Sequence, residues 1–138
     1  MTQKFKVLKV KRLLLQIDEY DLDVPTGFRE LTMDYIADNY NGAGPDWMPE
    51  DMRYILTWLL SLFEPAFLIH DMEYSASNRT EKSFNAANDR MWSNIRKIIN
   101  KEYSSHNPLC WIERTRWYWR GLIAYRACVK FGWSAWVS

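Results

Sequence analysis

The chain has 138 residues, enough for one domain with a real core but not for two. With 48% apolar and 25% charged residues it has the balance of a folded protein, and a net charge of +1 gives no field for gripping nucleic acid, so no nucleic-acid partner is expected. Two cysteines, Cys110 and Cys128, cannot build a multi-bridge framework and lack the C-x-x-C spacing of zinc or redox sites.

Residues 4 to 24 carry an extended-chain signal. Phe5, Val7 and Val10 are separated by lysines, Leu13 to Ile17 is a short apolar run, and Leu22-Asp23-Val24 follows an acidic interruption. This pattern predicts two or three short strands, a β element over residues 1–28 that ends where Gly27 turns the chain. The segment Asn39-Tyr40-Asn41-Gly42-Ala43-Gly44-Pro45-Asp46 is the clearest loop.

Beyond the loop the signals become helical. Pro49-Glu50-Asp51 has proline and acids suited to a first turn, which predicts a helix to about Phe63. Pro65 restarts the chain as a helix to about Ser77 carrying His70, Asp71 and Tyr74, and Thr80 is the expected cap of a third helix to about Tyr103. In that helix Phe84, Ala87, Met91, Ile95 and Ile98 recur at spacings of three and four, forming a stripe centred near Asn88. A last helix covers roughly Ile112 to Phe131, where Trp117, Tyr118 and Trp119 alternate with arginines; packing of the aromatics is favoured there over a membrane-surface face. The expected class is therefore α+β and mainly α: a single domain over 1–138, with the small β element and a helical core over 49–136.

One constellation carries chemistry. On a helix His70 and Tyr74 share a face, with Asp71 beside them. Histidine is suited to act as general base to water near neutral pH, and a carboxylate such as Asp71 suits a hard cation. A second carboxylate would fix the imidazole, and Asp89 on the following helix is the candidate. Periodicity alone selects Asn88 as the inward residue, and a satisfied structural network of His70, Tyr74 and Asp89 is the competing account of the same residues.

His70-Asp71-Met72-Glu73-Tyr74 resembles the H-D-x-x-Y helix motif of the phospholipase A2 superfamily. The resemblance implies a phospholipase A2-like helical core, with His70 as base, Asp71 as calcium ligand, and the glycine loop Tyr40-Asn41-Gly42-Ala43-Gly44 completing the calcium site through Tyr40, Gly42 and Gly44. It also implies that Asp89, in Asn88-Asp89-Arg90-Met91-Trp92, supports the histidine, and that the substrate is a phospholipid ester at a membrane surface. A second resemblance, to an uncharacterised phage and prophage family, rests on Val24-Pro25-Thr26-Gly27-Phe28, on Ala66 followed by the His70 motif, and on Phe131-Gly132-Trp133. It implies phage origin and other phage proteins as partners. The T-D-x-A-S-x-P segment of that family is not seen after Phe28, and the stretch from Gly44 to His70 is longer than in the catalytic enzymes.

The functional expectation is calcium-dependent hydrolysis of a phospholipid ester. The alternative is a non-catalytic phage structural, assembly or protein-interaction module on the same core. Met1-Thr2-Gln3-Lys4 lacks the apolar core of a signal peptide, so a cytoplasmic or virion-associated protein is expected.

Overall fold

A computed structural model of the protein describes residues 2–40, 49–76 and 78–137. Seven α-helices organise them: α1 (Gln3–Glu19), α2 (Met33–Asn39), α3 (Glu50–Leu59), α4 (Glu64–Ser75), α5 (Glu81–Glu102), α6 (Trp111–Phe131) and α7 (Trp133–Val137). Short 3₁₀ turns at Phe28–Glu30, Ser61–Phe63 and Pro108–Cys110 lie between them. No strand occurs among the described residues, which corrects the expected α+β class to an all-helical one and removes the β element from residues 1–28.

The physical reason lies in how α1 meets its neighbours. Val10, Leu13 and Ile17 are buried, with Val7 and Leu14 packed beside them, a set that recurs at helical rather than strand spacing. Leu8 and Leu15, which an alternating reading does not separate from this set, are exposed. The acidic interruption is the end of this helix and not a hairpin turn. Asp21 takes a positive φ of 53°, and the Leu22 amide returns to the Ile17 carbonyl at 3.0 Å, a closure that satisfies end carbonyls.

The helices expected beyond residue 49 are present. Proline stands in the first turn of α4, and the Thr80 hydroxyl accepts from the Ser83 amide at 3.1 Å to cap α5. Phe67, Phe84, Ala87, Met91, Ile95 and Ile98 are all buried, as the spacing predicts. The helix expected to reach Phe63 instead stops at Leu59 and passes through the 3₁₀ turn. No element is expected from the sequence over 29–38, yet α2 forms there under a Thr32 cap.

At the centre, α4 packs on α5, α1 and α2, and α5 also packs on α6. Gly121 lets α6 approach α5 closely, since a Cβ there would lie 2.6 Å from Ile95 Cγ2. Phe63 fills the neighbouring corner, edge-on to Trp117 at 5.4 Å and to Phe67 at 6.4 Å.

A polar seam ties the end of α1 and the segment after it to α5. Asn94, wholly buried, accepts from the Asp23 amide at 2.8 Å and donates to the Asp23 carbonyl at 2.9 Å. Arg90 pairs with the Asp23 carboxylate at 2.8 Å and also with Glu73, Tyr20 donates to Glu102 at 2.6 Å, and Lys101 donates to the Glu19 carbonyl. Among the described residues no single helix is long and apolar enough to cross a membrane.

Candidate functional site

His70 and Asp71 are neighbours in α4 but face different partners, because successive residues on a helix point about 100° apart. His70 faces α5, where its Nε2 lies 2.9 Å from Asn88 Oδ1. An amide oxygen only accepts, so the imidazole donates through Nε2–H, and in the neutral ring the lone pair is at Nδ1. Burial lowers the His70 pKa, opposed by the hydrogen bond to Asn88. The ring is thus held in one tautomer and favoured as the neutral base. Asn88 itself is 1% exposed, and its Nδ2 has no hydrogen-bond partner.

The expected support from Asp89 is not what the structure contains. Asp89 is exposed on the flank of α5 and accepts from the Tyr125 hydroxyl of α6 at 3.2 Å; burial, then this bond, raises the Tyr125 pKa. The stripe centred on Asn88 determines which residue enters the α4–α5 interface, and the neighbouring position falls outside it. An amide therefore stands where a carboxylate is expected. It fixes the tautomer of His70 but supplies no charge to stabilise an imidazolium.

Tyr74 lies one turn after His70 as expected, and both rings meet Trp136 of α7. The centroid separations are 5.6 Å for Tyr74 and 6.4 Å for His70, and Phe84 closes on the same indole at 5.6 Å. No role for Trp136 follows from the sequence. Its contribution follows from α7 folding back beside α5, where Arg79 Nη1 donates to its backbone carbonyl at 2.9 Å and its indole N–H donates to Ser83 Oγ at 3.3 Å.

Asp71, the next residue along α4, acts electrostatically on Tyr40 and Cys128. Burial pushes the Tyr40 hydroxyl well above its ordinary pKa, with Glu64 and Asp71 adding to the rise, while burial and then Asp71 push the Cys128 thiol up to about 11. Tyr40 donates to the buried Glu64 at 3.0 Å, and Lys9 holds the same carboxylate oxygen at 2.7 Å. Asp71 is thus near enough to the first residue of the glycine loop to act on it electrostatically. Gly42 and Gly44 lie outside the described residues.

Calcium takes roughly six to eight oxygens. Among the described residues no three His, Cys, Asp or Glu side chains come together as a metal-binding group. No family model, curated protein or solved structure matches the chain.

Proposed function

We propose that the domain is a phospholipase A2-like hydrolase in which His70 is the general base for water attacking a phospholipid ester. The reading is carried by one observation, the 2.9 Å contact between His70 Nε2 and Asn88 Oδ1 on facing helices. With Nε2–H engaged, Nδ1 is the atom that takes the proton from water, while the water oxygen adds to the ester carbonyl. The lowered pKa supports this role by favouring the neutral ring near neutral pH. The exposed Tyr54, Ile55 and Trp58 of α3 supply an apolar surface suited to lipid. Calcium dependence belongs to the same reading through Asp71 and the loop that begins at Tyr40.

Vesicle hydrolysis tests the proposal. Activity is expected in calcium and lost on chelation, and His70→Asn lowers the rate by at least about 100-fold while the chain stays folded. Asp71→Asn shifts the calcium requirement instead. Asn88→Asp, which restores a carboxylate to the position, raises the His70 pKa and the rate.

A second reading is favoured by Asp89 being engaged with Tyr125 while His70 packs on Trp136. In it the domain is a non-catalytic assembly or interaction module, and His70 with Asn88 is a polar tie in the core. Inactivity on every vesicle composition, together with a melting temperature indifferent to calcium, decides for this second reading.

A further inference from the structure

α6 has two faces. Gly121 and Ala124 are buried, and Trp117, Tyr125 and Cys128 pack against the core beside them. On the opposite side Ile112, Trp119 and Ile123 follow at spacings of seven and four, and they stay 71%, 55% and 66% exposed. Arg116, Arg126 and Lys130 stand on that same side, all exposed. The helix carries five basic residues and one acid, a net of +4 in a chain whose net charge is +1. The acid, Glu113, is already paired with Arg116 at 3.0 Å, and of the cations Arg114 is turned back to α5, donating to Asn100 at 2.7 Å. A near-neutral chain thus gathers positive charge along one exposed helix.

We infer that this outer face docks the protein on an anionic lipid bilayer. From Ile112 to Lys130, roughly 27 Å of helix at 1.5 Å per residue, apolar side chains and cations are interleaved rather than segregated. In the groove of a folded partner the guanidinium groups would be desolvated together with the isoleucines, at a cost that only a matching set of acids offsets. At a bilayer the arginine stems lie along the apolar chains while their heads reach lipid phosphates, and Trp119 suits the boundary between the two. Nucleic acid offers the phosphates, but Ile112 and Ile123 have no ring on which a base can stack. The exposed apolar residues of α3 follow Glu50 and Asp51, so the preference for anionic lipid belongs to α6. No residue of the His70 site takes part, and the docking is separate from hydrolysis.

Vesicle flotation in excess chelator tests it, with phosphatidylcholine alone set against an equal mixture of phosphatidylcholine and phosphatidylserine. The protein binds the anionic vesicles at least about tenfold more tightly, and raised salt removes the difference. Arg126→Glu with Lys130→Glu weakens that binding at least about tenfold. Lys4→Glu with Lys11→Glu, the same change of charge at exposed positions of α1, weakens it by no more than about threefold. Trp119→Ala also weakens it, with the circular dichroism spectrum unchanged. Binding to neither vesicle, equal binding to both, equal losses from the two charge pairs, or release from the vesicles by oligothymidine at equal phosphate overturns the inference. Because binding is read in chelator, a protein that docks without hydrolysing counts against the hydrolase reading alone, and one that hydrolyses without this docking counts against the inference alone.

Discussion

α3 and α4 are separated only by a 3₁₀ turn, and both are rich in apolar residues. In α4, seven of twelve residues are buried, among them Phe67, Leu68, Ile69 and Met72. In α3 none of ten is buried, and Tyr54, Ile55 and Trp58 are 73%, 57% and 69% exposed. The contrast comes from neighbours: α4 packs on α5, α1 and α2, whereas α3 has no comparable partner among the described residues. An apolar stripe tells which face of a helix can be buried, and a partner decides whether it is.

Stability measurements can break this comparison. Leu68→Ala removes a wholly buried side chain and should cost about 2–5 kcal/mol in denaturant unfolding. Trp58→Ala should fall within about 0.5 kcal/mol of the unaltered protein, although more atoms are removed. A large loss at Trp58 would mean that α3 is covered in solution and that the two helices are alike. Between these extremes, Gly121→Ala pushes α6 against Ile95 and should cost about 1–3 kcal/mol, read in the same assay.

Titrations sharpen the comparison within α4, where the consecutive His70 and Asp71 point in different directions. The folded-state pKa of His70 is lowered, so the unfolded chain binds more protons on acidification. The stabilising effect of keeping this ring neutral is full above the ordinary histidine pKa of about 6.5 and is lost as pH falls below it. His70→Gln should flatten that part of the stability curve, and an unchanged curve would count against the desolvated ring. On the Asp71 side, the Cys128 thiol is raised to about 11, so its alkylation at pH 8 should be slow in the folded protein and speed up on unfolding.

The same contrast between stripe and partner accounts for what could be read in the sequence. α4 and α5 were legible because Pro65 and Thr80 punctuate them and the α5 stripe runs long enough to fix its period. α1 has the look of a strand in sequence because lysines between Phe5, Val7 and Val10 imitate alternation, and the leucine run fits either period until its partners are known. α2 is only seven residues, too short for a stripe to stand out. At the site, the motif located His70, Asp71 and Tyr74 on one helix. The neighbour of His70 was legible from periodicity as Asn88, while the family pattern pointed one residue further to Asp89. Trp136 and Glu73 carried no local signal, because their positions depend on how distant segments meet.

The polar seam between the α1 end and α5 has a consequence for the order of folding. Its contacts close long stretches of chain: Asp23 to Asn94 spans 71 positions, and Tyr20 to Glu102 spans 82. Closing such loops costs entropy before any contact offsets it, whereas α4 and α5 are adjacent in sequence and can pair early. The seam therefore belongs to the late side of the folding barrier. Asn94→Ala, which removes both bonds to Asp23, should leave the refolding rate nearly unchanged and accelerate unfolding. The α1 end would then be the first part of the molecule to let go, with α4 and α5 still paired behind it.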